Sequence, residues 1–134
     1  MRSMDAPLIA PDCRPVPRQV RVLVVDDAAC FREAARELLE RRGYVVACEA
    51  ECAASALRAL EQFAPDAVLL DVNLPDANGC DLAAELTGAD PTLAILLVSA
   101  HPLDPQLARN SGARGFVPKS QLGMTDFTRF WPTP

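Results

Sequence analysis

Two alternating patterns of apolar residues run along most of this chain. Val20-Arg21-Val22-Leu23-Val24-Val25 is a β-branched run that stops abruptly at Asp26-Asp27, as a buried strand does. Phe31, Ala34, Ala35, Leu38 and Leu39 then recur at helical spacing, opposite Arg32, Glu33, Arg36, Glu37 and Glu40, and Gly43 marks the stop. Tyr44 to Cys48 predicts a second strand, and Ala53, Ala56, Leu57, Leu60 and Phe63 a second amphipathic helix ended by Pro65. Ala67 to Leu70 is a third strand, closed by Asp71, and a short helix around Leu82 and Leu86 is expected to end at Gly88. Leu93 to Val98 is the most apolar run and is expected to be central. Asp104-Pro105 caps and opens a fourth helix that Gly112 closes. Arg114 to Val117 is a fifth strand, and Thr125 to Trp131 is expected to form a last helix of two turns. Near-continuously apolar strands alternating with helices predict an open parallel sheet covered on both faces.

Composition adds bounds. The 134 residues suffice for one domain with its own core. The division expected is a Pro-rich arm over 1–19, a folded domain over 20–131 and a tail over 132–134. No apolar run approaches the ~20 residues that cross a bilayer, and the N-terminus has no secretory pattern, so a cytoplasmic protein without membrane contact is expected. A net charge of −5 argues against direct nucleic-acid binding by this chain. Five cysteines (Cys13, Cys30, Cys48, Cys52, Cys80) form neither a disulfide framework nor a zinc set and read as free thiols. The sharper fact is that twelve of thirteen basic residues are arginine, leaving Lys119 as the single lysine.

In an open α/β sheet the ligand crevice lies beyond the carboxyl ends of the strands, where strand order reverses. Those ends carry Asp26 and Asp27, Asp71, Ser99 and Lys119. Asp66, at the start of the third strand, belongs to the opposite edge. Clustered carboxylates resist joint ionisation without a cation, and an all-oxygen set suits Mg²⁺ sharing its sphere with a phosphate. A carboxylate beside a hard cation and an ammonium is a competent nucleophile toward phosphorus. The residues thus predict an aspartate that accepts a phosphoryl group. A phosphohydrolase with an aspartyl nucleophile is disfavoured, because the position two beyond Asp71 is Asn73 and not a carboxylate.

Val24-Val25-Asp26-Asp27, Leu69 to Pro75, Gly79, Val98-Ser99-Ala100 and Gly115 to Lys119 occur in order with βα spacing between them. From Val20 to about Ser120 the chain resembles the receiver domain of two-component response regulators, nearest to receivers that carry a helix-turn-helix output module. The resemblance implies a flavodoxin-like sheet of order 2-1-3-4-5. It implies Asp71 as phospho-acceptor, with Lys119 and Ser99 on the phosphoryl oxygens, and Mg²⁺ held by Asp26, Asp27, Asp71 and the Asn73 backbone carbonyl. Ser99 and Phe116 would form the switch, and Asn73, Ala100 and His101 would modulate the lifetime of the phosphoryl group. The implied partners are a histidine kinase or phosphotransfer protein, a downstream protein or separate output domain, and a homodimer formed on phosphorylation. The alternative is a receiver-shaped interaction module that works without phosphorylation.

Overall fold

The computed structural model describes residues 19–134, so the arm assigned to residues 1–19 lies, but for Gln19, outside the described residues, as does Cys13. The elements in chain order are β1 (Arg21–Val25), α1 (Ala29–Arg41), β2 (Val45–Ala50), α2 (Ala53–Phe63), β3 (Ala67–Asp71), α3 (Gly79–Ala89), β4 (Ala94–Ser99), α4 (Pro105–Asn110) and β5 (Gly115–Pro118). The strands pair in parallel in the order β2-β1-β3-β4-β5. Each strand lies within two residues of its expected bounds. The middle strand is β3, with β4 beside it, and every residue of both is buried.

Alternation along the strands divides the core into two layers. Leu23, Val25, Val68, Leu70, Ile95 and Leu97 pack toward α2 and α3. Val22, Val24, Leu69, Leu96 and Val98 pack toward Ala35 and Leu39 of α1. The stripe that α2 buries is Ala53, Ala56 and Ala59, and Leu57 and Phe63, assigned to that face from spacing, stand 40% and 38% exposed. Small side chains let the helix lie close on the sheet, which pushes its larger residues to the flanks. The third helix does not end at Gly88. It continues to Ala89, and the Asp90 N–H bonds the Leu86 carbonyl. Gly43 does stop α1, at φ +92°, a conformation that costs glycine nothing.

The expected last helix is absent. After β5 the chain makes two 3-10 segments, Lys119–Met124 and Phe127–Arg129. Local side-chain bonds explain why. The Thr125 hydroxyl donates to the Gln121 carbonyl, and Asp126 accepts from both the N–H and the hydroxyl of Thr128. Such bonds offer the backbone turns instead of a continuous helix, and Gly123 weakens the helical alternative further. The resulting strap still fills the layer a helix would fill. Phe127 and Trp131 are buried, stacked with centroids 5.0 Å apart, and both meet Tyr44 edge-on. Arg42, at the end of α1, donates to the Thr125 and Gly123 carbonyls at 2.6 and 2.7 Å.

The four described cysteines are free. Burial pushes the thiols of Cys48 and Cys80 above their ordinary range, which keeps them protonated and unreactive. None of the described helices is long and apolar enough to cross a membrane.

If the strap is core, Trp131→Ala should lower unfolding free energy by about 3–5 kcal/mol, the usual cost of truncating a buried aromatic. Met124→Ala, at a side chain 82% exposed in the same strap, should change it by no more than about 0.5 kcal/mol. Urea unfolding checks both, and equal costs would mean that the strap is not part of the cooperative unit.

Candidate functional site

The order of the sheet places β1 and β3 side by side with their chains leaving in opposite directions, so a crevice opens beyond their carboxyl ends. Asp26 and Asp27 follow β1, Asp71 ends β3, Ser99 ends β4 and Lys119 follows β5. Carboxylate oxygens of Asp26, Asp27 and Asp71 lie within 4.8 Å of one another. Asp66 is at the far edge, where its carboxylate accepts from the Arg21 N–H.

Asp26 is fully buried and Asp71 nearly so, whereas Asp27 is exposed. The backbone fixes Asp26 on three sides. Its N–H donates to the Ala50 carbonyl of β2, its Oδ1 accepts from the Ala28 N–H, and its carbonyl accepts from Arg32 at 2.6 Å. Its Oδ2 faces Lys119 Nζ at 2.6 Å and takes no other hydrogen bond among the described residues. The ammonium also reaches Asp71 Oδ2, at 3.6 Å. Burial pushes the Asp71 carboxyl above its ordinary range. The Asn73 N–H and the Lys119 ammonium pull it down, and the Asp26 charge pushes it up. Burial alone would lower the Lys119 value, but its hydrogen bond to Asp26 and the charges of Asp71 and Asp26 outweigh that, so the net shift is upward. Lys119 is therefore charged at neutral pH.

The donor set fits a hard divalent cation. It consists of oxygens alone, two of the three carboxylates are buried, and one buried oxygen has no partner besides an ammonium.

Loop residues complete the pocket. Asn73 N–H donates to Asp71 Oδ1 at 3.2 Å, and its side-chain amide donates to Ser99 Oγ at 3.2 Å. Ser99 Oγ also accepts from the His101 N–H at 3.0 Å, so its own proton has no acceptor among the described residues. Gly79 lets the β3–α3 loop close on itself: a Cβ there would collide with the Asp71 carbonyl and the Val72 Cα, and its N–H bonds the Val72 carbonyl at 2.7 Å. The structure thus gathers Asp26, Asp27, Asp71, Lys119, Asn73 and Ser99. Ala100 and His101 are exposed just beyond Ser99, and the His101 imidazole makes no hydrogen bond among the described residues. Phe116 stands off the pocket on β5, half-buried against the α2/α3 layer.

Sequence reading missed three residues at this edge. Phe31 packs on the core as its spacing predicts, and its ring centroid also lies 4.4 Å from Lys119 Nζ, a contact that spacing does not reveal. Arg32 was placed on the solvent face, yet it is half-buried and bonds the Asp26 carbonyl. Asp76, in the β3–α3 loop, accepts from the N–H groups of Ala53 and Ala54 and so joins the loop to the start of α2. The signal for Phe31 and Arg32 was their place one turn beyond Asp26-Asp27; Asp76 offered none.

Fold and site together define a doubly wound α/β domain with an acidic, lysine-bearing crevice at its switch point. Residues 22–125 match the response regulator receiver domain, and the chain belongs to that family. It is 35% identical over 101 residues to the chemotaxis protein CheY of Thermotoga maritima, across 74% of this chain and 84% of that one. It is 38% identical over 108 residues to the probable transcriptional regulatory protein NarL of Mycobacterium tuberculosis, across 78% of this chain and 50% of that one. The chain thus spans half the length of that relative. Among solved structures, the signal receiver domain of the putative response regulator NarL from M. tuberculosis superposes with a TM-score of 0.72 at 36% identity, covering 81% of this chain and 90% of that one. A LuxR-family two-component response regulator from Aurantimonas sp. SI85-9A1 gives 0.74 at 34% identity, covering 80% and 79%. Receivers of this family are signalling domains rather than enzymes acting on a substrate pool.

The Asp76 cap carries a pH dependence. Bonds from the Ala53 and then the Ala54 N–H hold its carboxyl below the ordinary 3.8. A carboxyl lowered by folding adds stability above its unfolded value, and that contribution is lost as pH falls through the folded one. Asp76→Ala should therefore lower the urea midpoint at neutral pH, with the gap to wild type closing on acidification below about pH 4. A gap that persists undiminished in acid would show that the charge of the cap contributes nothing.

Proposed function

We propose that this receiver domain is a phosphorylation-dependent switch in which Asp71 accepts the phosphoryl group from a histidine kinase, a phosphotransfer protein or a small phosphodonor. The observation that carries this reading is the Lys119 ammonium, which lies between Asp26 Oδ2 and Asp71 Oδ2 within the three-carboxylate cluster. An Asp71 carboxylate oxygen attacks phosphorus, the new O–P bond forms, and the donor's bond to phosphorus breaks. The electron pair leaves with the imidazole of a phosphohistidine or with the acetate of acetyl phosphate. Asp26, Asp27, Asp71 and the Asn73 carbonyl are the groups that would hold Mg²⁺. When bound, the ion offsets the crowding of negative charge on carboxylates and phosphoryl oxygens.

Each pocket residue has a task in this reaction. Lys119 opposes the burial that raises the Asp71 carboxyl, and afterwards would pair with a phosphoryl oxygen. Ser99 has a proton to give, and a phosphoryl oxygen arriving on Asp71 is the acceptor it lacks. Its movement would release the bonds to Asn73 and His101, and the half-buried Phe116 ring on the next strand would follow. The phosphoryl group carries roughly −1.5 to −2 charges in place of the single charge of the carboxylate, and the contacts of Lys119 and Ser99 with that charge supply the difference between the two states. His101, Ala100 and Asn73 border the route of water to the phosphoryl group and would set its lifetime. The switched surface would pass the signal to a downstream protein or separate output domain in the cytoplasm. A homodimer formed on phosphorylation would need a face other than a last helix, since after β5 the helical segments are two short 3-10 stretches, Lys119–Met124 and Phe127–Arg129.

Incubation with acetyl phosphate and Mg²⁺, read by intact mass, should give a single phosphoryl adduct. The adduct should be lost without Mg²⁺ and lost in Asp71→Asn, whose circular dichroism should match wild type. No adduct on wild type, with no spectral response to beryllofluoride, would leave a receiver-shaped interaction module that works without phosphorylation.

A further inference from the structure

The phosphoryl pocket has a wall that neither its acids nor its loops supply. α1 starts immediately beyond Asp26-Asp27, and its first residues, Ala29 and Cys30, are small and exposed. The next residue is Phe31, whose ring centroid lies 4.4 Å from Lys119 Nζ. Among the described residues it is the one ring in contact with that ammonium. Phe31 also packs on the α1 layer of the core and is half-buried.

Its neighbour fixes that turn of helix. Arg32 bonds the Asp26 carbonyl at 2.6 Å and pairs with Glu49 at 3.1 Å, tying the start of α1 to the end of β1 and to β2. The turn of helix that carries Phe31 is thereby fixed, while Lys119 must be ordered by contacts at its head. A lysine stem has four rotatable bonds and costs up to about 2 kcal/mol of rotamer entropy to fix. Two acids attract its head, at 2.6 and 3.6 Å. The ring adds a further attraction at 4.4 Å, because its negative face favours a cation. It also excludes water from the ammonium, whose side chain is only 21% exposed.

We propose that Phe31 is a positioning residue of the phosphoryl site: its ring face holds the Lys119 ammonium over Asp26 and Asp71 and shields it from water. The ring acts through its contact with Lys119. This inference rests on Asp71 being the phospho-acceptor, as proposed above. The general strength of such contacts, from exposed to desolvated settings, corresponds to a severalfold change in rate.

Three versions of this chain test it: wild type, Phe31→Leu, which keeps an apolar side chain against the core but has no ring, and Phe31→Tyr, which keeps the ring. Lys119 is the single lysine, so labelling with ¹³C-lysine gives one set of side-chain resonances. In wild type its ε-protons should lie upfield of a free lysine because of the ring current. They should keep that shift in Phe31→Tyr and lose it in Phe31→Leu. The initial rate of phosphoryl uptake from acetyl phosphate with Mg²⁺ should fall about three- to tenfold in Phe31→Leu and recover in Phe31→Tyr. A lysine shift that stays unchanged in Phe31→Leu would show that the ring does not lie against the ammonium, and a ring that merely fills space would let Phe31→Leu react like wild type; either result overturns the proposal. Phe31→Tyr as slow as Phe31→Leu overturns it as well. If wild type forms no adduct, the acceptor reading itself fails. If wild type reacts and Phe31→Leu reacts equally fast, the role of Phe31 fails alone.

Discussion

A carboxylate without solvent must find its charge a partner, and much of this fold is arranged around Asp26. The residue has no exposure, one of its oxygens faces only an ammonium, and that ammonium comes from the far edge of the sheet. Removing one member of a buried pair typically costs several kcal/mol, because the survivor is left uncompensated. The pair therefore ties the end of β1 to the end of β5 across two intervening strands. Asp71 sits between them on β3 and draws on the same ammonium. The arrangement holds three negative groups against one positive one, and that imbalance makes the crevice receptive to a divalent cation. It is also what an added phosphoryl group would perturb.

The elements around the crevice have divided the work of holding it. The first turn of α1 brings Phe31 under the ammonium and Arg32 onto the Asp26 carbonyl. The β3–α3 loop closes tightly at Gly79 and is pinned to α2 by Asp76. Asn73 and the backbone of His101 hold Ser99. On the other face of the sheet the strap after β5 replaces a helix with two aromatic side chains. Its anchor is Arg42, bonded to two strap carbonyls with its guanidinium over the Phe127 ring. Because the strap begins at Lys119, the residue whose ammonium faces Asp26 and Asp71 is also the first residue of the segment that follows β5. Pocket and strap are thus joined by a single residue of chain.

Much of this was legible in advance. The five strands follow from unbroken apolar runs, which a strand buried on both faces requires, and their ends were marked by a change to Asp, Ser or Lys. The helices that failed in detail did so for reasons of packing. Leu57 and Phe63 have the spacing of a buried stripe, but alanines one step away allowed closer approach to the sheet and took the buried positions. Gly88 has the look of a stop, yet it sits in open space where nothing penalises or requires it, and the helix runs past. Thr125 to Trp131 has helix-compatible apolar spacing, but Asp126 and the two threonines bond locally first.

By itself, then, the sequence determined the layers, the parallel sheet and the identity of the acids, the hydroxyl and the lysine at one edge. These rest on period and order, which any chain carries in one dimension. The tertiary structure decided which of those groups touch. It put Lys119 nearer to Asp26 than to Asp71. It laid an aromatic ring against the ammonium and linked a loop aspartate to the next helix. It also replaced a helix by a strap. Contacts between residues 45 or 88 positions apart depend on how helices settle on the sheet and on what volume each side chain leaves for the next, and no local pattern along the chain records that.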